Sequence, residues 1–181
     1  MINQKETNMS IGIYYGTTTG KTEKVAEMIA YELGAEVAEV KDISNAISDE
    51  LERFDVLIFG TSTWNVGEMQ MDWETFVEEE LESVDFSHKK VAFFGLGDQE
   101  GYPDYFADGM GKLYHKVKER GAKIVGSWNT ENYDFDESEA VDNGSFCGLV
   151  IDEDNQEDLT ERRIMEWCTI LRKELNLVRS E

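Results

Sequence analysis

The feature that most constrains this chain is an alternation of short apolar runs with stretches of helical period. Ser10-Ile11-Gly12-Ile13-Tyr14-Tyr15 reads as a buried strand ending at Gly16. From Thr22 the period changes: Val25, Met28, Ile29 and Leu33 share one helical face, and Gly34 stops the helix. Glu36 to Val40 reads as a second strand, and Phe54 to Phe59 as a third. Met69, Trp73, Phe76, Val77 and Leu81 form the next helical stripe. Val91 to Phe94 is a fourth strand, followed by a helix with Phe106, Met110, Leu113 and Val117 on one side and a stop at Gly121. Lys123 to Gly126 begins a fifth strand. A last helix carries Ile164, Trp167, Cys168, Leu171 and Leu175, with Thr160 as its expected cap. The strands are continuous apolar runs, as a sheet covered by helices on both faces requires. The expected fold is therefore α/β, a three-layer sandwich around a five-stranded parallel sheet. Ser127 to Ser145 fits neither period and reads as a polar insertion at the fifth strand, with Phe146 to Ile151 returning to strand.

A chain of 181 residues suits one domain: residues 10–178 as the domain, residues 1–9 as a flexible tail. No run of 18 apolar residues is present, so no membrane insertion is expected. The formal charge of −22, from 39 acidic and 17 basic residues, repels nucleic acid and anionic lipid and attracts basic proteins. Cys147 and Cys168 stand apart without a CxxC, which excludes a disulfide scaffold and suits a reducing, cytoplasmic compartment. His88 and His115 are isolated, so neither a metal site nor a catalytic dyad is expected.

Three loops follow strand ends, where open parallel sheets bind ligands. The first is Gly16-Thr17-Thr18-Thr19-Gly20-Lys21-Thr22. It opens a helix whose free N–H groups and dipole favour an anion, and its threonines add neutral donors. GxGxxG is absent, and the match to GxxxxGK[ST] is one residue short. The second loop is Thr61-Ser62-Thr63-Trp64-Asn65-Val66-Gly67-Glu68; the third is Gly95-Leu96-Gly97-Asp98-Gln99-Glu100-Gly101-Tyr102. An aromatic residue after each of two neighbouring strands suits a clamp on a flat ring, each stack contributing about 0.5–1.5 kcal/mol beyond area burial. A phosphate cradle beside such a slot fits a phosphorylated planar ligand, of which FMN is the simplest.

These segments resemble the long-chain flavodoxin family. Its T-x-T-G-x-T pattern appears as Thr17 to Thr22, its T-P-T-W-x-x-G-E pattern as Thr61 to Glu68, and its G-x-G-D-Q-x-x-Y pattern as Gly95 to Tyr102. Tyr133-Asp134-Phe135, Phe146 to Leu149 and Asp152 to Gln156 match as well, so the likeness runs from about Ser10 to Leu175. The family is one of the standard examples behind the switch-point rule, with FMN beside the first and third strands.

The resemblance implies a low-potential one-electron carrier with non-covalent FMN, cycling between semiquinone and hydroquinone, rather than an enzyme. It implies that Thr17, Thr18, Thr19, Gly20, Lys21 and Thr22 hold the phosphate. Trp64 and Tyr102 would flank the isoalloxazine, with Asn65, Val66 and Gly67 as the loop at flavin N5. Gly97 and Asp98 would meet the pyrimidine edge through backbone and side chain. Thr61, Ser62, Thr63, Leu96 and Tyr105 complete the expected site. Ser62 departs from the family's proline and is expected to loosen its loop slightly. Expected partners are basic redox proteins, such as a flavodoxin/ferredoxin-NADP reductase and an electron acceptor enzyme, docking a monomer near Glu68, Asp72, Glu74 and Asp98. The rivals are an FMN-dependent quinone reductase of the same fold, which needs an open substrate pocket over the ring, and a signalling receiver. The receiver needs acids and a lysine near positions held by Gly16, Gly60 and Gly126.

Overall fold

The structure is a computed structural model that describes residues 9–177, with Ala35 described by its backbone alone. Most of the expected tail (residues 1–8) and the end of the expected domain (178) therefore lie outside the described residues.

The parallel sheet is built from β1 (Ile11–Tyr15), β2 (Val37–Asp42), β3 (Val56–Trp64) and β5 (Lys90–Leu96), in the order β2-β1-β3-β5. The short strands β6 (Lys123–Ile124) and β9 (Leu149–Ile151) both pair parallel with β5, one after the other along the same edge. Together they make the expected fifth strand, interrupted by the insertion. Val91 pairs with Ile124, and the pairing resumes with Phe94 against Leu149. Chain order runs one way from β1 to β2 and the other way from β1 to β3, so a crevice opens beyond the carboxyl ends of β1 and β3.

Helices cover both faces, which is why the strands read as apolar throughout. On one face α1 (Lys21–Leu33) packs on β1, β2 and β3, beside α5 (Thr160–Leu175), which packs on β9. Their inward residues Val25, Ile29, Leu33, Ile164, Trp167 and Leu171 are fully buried. On the other face lie α3 (Met71–Glu79) and α4 (Asp108–Glu119). There the Phe59 ring stands 4.9 Å from Trp73, and the Phe93 ring 5.8 Å from Tyr114. Burying an aromatic of this size stabilises by about 1.5–3 kcal/mol, so this face supplies much of the core energy. The two fully buried tryptophans keep their indole N–H satisfied: Trp73 donates to the Gly60 carbonyl and Trp167 to the Gly126 carbonyl, each at 2.7 Å.

Several expectations need correction. The third strand runs five residues past Phe59 to Trp64, because Asn65-Val66-Gly67 turns the chain back into β4 (Glu68–Met69), antiparallel to β3. Met69 therefore belongs to that hairpin, and the helix expected from Met69 begins at Met71, where Gln70 caps it through its side-chain carbonyl. Thr160 is not the cap of the last helix; it is the first helical residue, and its hydroxyl donates to the Glu153 carboxylate. The one-turn helix α2 (Ser48–Leu51) was not expected, having too few residues to show a period. The insertion folds back as the hairpin β7 (Val141–Asp142) and β8 (Ser145–Phe146), so Phe146 pairs with Val141 rather than with the main sheet.

Candidate functional site

The three expected loops meet at the crevice. They line a cleft of about 260 Å³. Thr19, Lys21 and Thr22 come from the first loop; Ser62, Thr63, Trp64 and Asn65 from the second; Leu96, Gly97, Asp98, Tyr102 and Tyr105 from the third. Thr17, Thr18, Gly20, Thr61, Val66 and Gly67, also expected at the site, support these walls without lining that cleft.

The first loop leaves a helix start uncapped. Gly20, at φ +84°, occupies the N-cap of α1 in the left-handed region, and no side chain closes the helix end. Thr17 Oγ1 accepts from the Gly20 N–H at 2.9 Å, which curls the loop. Among the described residues, the backbone N–H groups of Thr18, Thr19, Lys21 and Thr22 meet no protein acceptor. Unpaired donors at the positive end of a 13-residue helix, with Thr18 and Thr19 exposed beside them, form a cradle for a phosphate. Buried Gln70 ties this loop to the second: its carbonyl accepts from Asp72 N, and its amide donates to Thr17 O and the Asp72 carboxylate.

The second loop is a tight turn rather than a loose one. Asn65 and Gly67 both have positive φ, +47° and +85°. A Cβ on Gly67 would lie 2.7 Å from the Asp108 carboxylate. Gly67→Ala is therefore expected to cost about 1–3 kcal/mol through left-handed strain and this clash, read as a lower urea midpoint at unchanged slope. Thr61 is buried and structural, accepting from the Gln70 N–H. The Ser62 hydroxyl accepts from the Trp64 indole N–H at 2.8 Å, a bond that proline would not offer. Trp64 is thereby oriented although 37% exposed.

The third loop carries Tyr102, 53% exposed, and Tyr105, 37% exposed. Large aromatics left this open at a concave site, in a chain that buries most of its aromatics, are available to a ligand. The Asp98 side chain lines the cleft and also holds its own loop. Its carboxylate accepts from the N–H groups of Gly101 at 2.7 Å and Glu100 at 3.2 Å and from the Asn155 amide at 2.9 Å, so it staples the loop. The Gly101 bond, foremost, holds this carboxyl below the usual range. The backbone of Gly97 and Asp98 and the second carboxylate oxygen of Asp98 remain for recognition.

A fourth segment, after β9, was missed as part of the site. Glu153 and Asp154 line the cleft, and Lys21 Nζ lies 2.8 Å from Asp154 Oδ1. Behind them the fully buried Asp152 accepts from the N–H groups of Gln99, Asp154 and Asn155 and from the Asn155 amide. The signal was present: Asp152 to Gln156 follows a strand at the same sheet edge as the other loops.

Comparison with known proteins agrees with this geometry. The family model described as Flavodoxin matches residues 13–167. A flavodoxin of Nostoc sp. is 51% identical over 167 residues, covering 92% of this chain and 98% of its own. A flavodoxin of Synechocystis sp. is 52% identical over 160 residues, covering 88% and 94%. The crystal structure of Fusobacterium nucleatum flavodoxin bound to flavin mononucleotide superposes with a TM-score of 0.87 at 36% identity, covering 92% of this chain and 98% of that one. The chain belongs to the flavodoxin family, as a long-chain member.

Proposed function

We infer that this protein is a carrier that binds FMN without a covalent link and passes electrons between redox proteins, not an enzyme. The observation that carries the reading is the meeting of an uncapped helix start with two exposed aromatics, Trp64 and Tyr102, in one cleft at the switch point of the sheet. The residues suit FMN: neutral donors for a phosphate, apolar faces for a ring, and backbone groups for a polar ring edge. FMN, when bound, supplies the one-electron redox chemistry.

The chain's own residues bind and orient. In this reading Thr17 to Thr22 hold the phosphate through backbone N–H groups and hydroxyls. Trp64 and Tyr102 stack on the ring, with Ser62 fixing the indole. Asn65-Val66-Gly67 forms the turn beside the reactive ring atoms. Leu96, Gly97 and the Asp98 backbone meet the remaining ring edge, and Thr61, Thr63 and Tyr105 complete the surround. Excluding water from both ring faces disfavours added negative charge there and so keeps the potential low.

Residues 10–178 act as one FMN-binding domain in this reading. Among the described residues no helix is long and apolar enough to cross a membrane. Cys147 and Cys168 are buried free thiols, and such thiols suit a reducing cytoplasm.

The partners we propose are basic redox proteins, a flavodoxin/ferredoxin-NADP reductase as donor and an acceptor enzyme, each meeting a monomer. Val66, 62% exposed, and Met71, 72% exposed, offer an apolar centre beside the cleft. Glu68, Asp72 and Glu74 neighbour them in sequence and Asp98 lines the cleft, within a chain of net charge −22. Charged rims steer encounter while apolar centres hold it. Reversing Glu68, Asp72 and Glu74 to lysine together is expected to slow electron transfer to cytochrome c, a basic one-electron acceptor, about tenfold at low salt and to flatten its salt dependence. Unchanged stopped-flow rates would remove this docking face. Oxidation of NADPH by the isolated holoprotein at enzymatic turnover would remove the carrier reading.

A further inference from the structure

The cleft has an electrostatic peculiarity for an anion site. Its fourth wall, the segment after β9, contributes two carboxylates, Glu153 and Asp154. A phosphate dianion nearby would meet both. Asp98 Oδ1 accepts from three N–H donors, and Glu153 accepts the Thr160 hydroxyl, so each of these carboxylates has neutral donors on it. The charge of Asp154 is met differently. Its backbone N–H is spent on Asp152 Oδ1, and the partner of its side-chain carboxylate is the Lys21 ammonium at 2.8 Å. Lys21 is the single cationic residue lining the cleft among the described residues.

Lys21 is also the first residue of α1, so its own backbone N–H belongs to the phosphate cradle while its side chain reaches away to the fourth segment. The pair spans 133 residues of sequence, and both side chains are about half exposed, 47% and 53%. At that exposure the pair adds little to fold stability. Its effect falls on the charge felt at the cradle.

We propose that the Lys21 side chain acts as the counter-charge to Asp154, a positioning group that makes an acid-walled cleft tolerable to the FMN phosphate, and that the ammonium does not itself bind the phosphate. This rests on the FMN reading of the site. The neutral donors of Thr17 to Thr22 do the binding, and the Lys21–Asp154 pair keeps the wall from repelling what they bind. The effect of removing Lys21 is then conditional on Asp154 being charged.

A double-mutant cycle tests this, with FMN and riboflavin, which lacks the phosphate, titrated into full-length apoprotein and followed by quenching of flavin fluorescence. At low ionic strength K21M is expected to weaken FMN binding about tenfold and D154N to strengthen it about threefold, both effects shrinking as salt shortens the screening length. K21M/D154N is expected to bind FMN within about twofold of the original protein, and riboflavin affinity to stay within about twofold across the set, since a neutral ligand does not sense the wall charge. Equal losses from K21M with and without D154N would overturn the proposal, because Lys21 would then touch the phosphate directly. Equal losses for riboflavin and FMN would overturn it as well, pointing to a packing role. An original protein that binds neither flavin would overturn the FMN reading and this inference together.

Discussion

Asp152→Ala is expected to be the most damaging single change at the site, lowering unfolding free energy by about 3–5 kcal/mol. Asp152 is fully buried, and its two oxygens accept from Gln99 N at 3.1 Å, Asp154 N at 3.2 Å, Asn155 N at 3.1 Å and the Asn155 amide at 2.9 Å. Alanine removes the acceptor of three backbone donors, of which the Gln99 N–H is buried and the Asp154 and Asn155 N–H groups part-buried; a donor left unsatisfied in full burial costs about 1–3 kcal/mol. The damage is not confined to stability. Gln99 N leads into the loop that carries Tyr102, and the Gln99 side-chain oxygen Oε1 accepts from Asp134 N of the insertion at 2.7 Å. Asn155 reaches the Asp98 staple of the same loop. Loss of Asp152 therefore unfastens the third and fourth walls of the cleft together, and FMN affinity falls along with the urea midpoint. An unfolding free energy within about 1 kcal/mol of the original would show these donors to be satisfied by water, against this account.

Tyr102→Ala is expected to weaken FMN about 10- to 100-fold while leaving apoprotein stability nearly unchanged. Base–aromatic stacking is worth about 1–3 kcal/mol by alanine substitution, and a flavin ring offers a comparable face. The apoprotein is spared because Tyr102 is 53% exposed and its side chain contributes little to the core. Tyr102→Phe is expected to retain most of the affinity, since the face and not the hydroxyl does the stacking. Fluorescence titration reads the affinity and urea denaturation the stability. The opposite pattern, an unstable apoprotein with intact FMN binding, would make Tyr102 a packing residue.

The layer architecture was legible because buried parallel strands and amphipathic helices carry different periods, as at Val56 to Phe59 and at Val25, Ile29 and Leu33. The strand ends then located the loops, and glycine and threonine content marked the first of them as a cradle. What escaped was set by long-range contact. The β4 hairpin depends on positive φ at Asn65 and Gly67, which the sequence permits without requiring. The inward turn of Asp98 depends on Asn155, 57 residues away. The place of Glu153 and Asp154 in the cleft follows from that same docking of the β9 segment.

The central claim, that this cleft holds FMN, is tested most directly by titrating full-length apoprotein with FMN and identifying the pigment released by acid. The account predicts a flavin spectrum, a stoichiometry of about one FMN per chain as one phosphate cradle allows, and quenched fluorescence from stacking on Trp64 and Tyr102. A folded protein that stays colourless and leaves FMN fluorescence unchanged would contradict it.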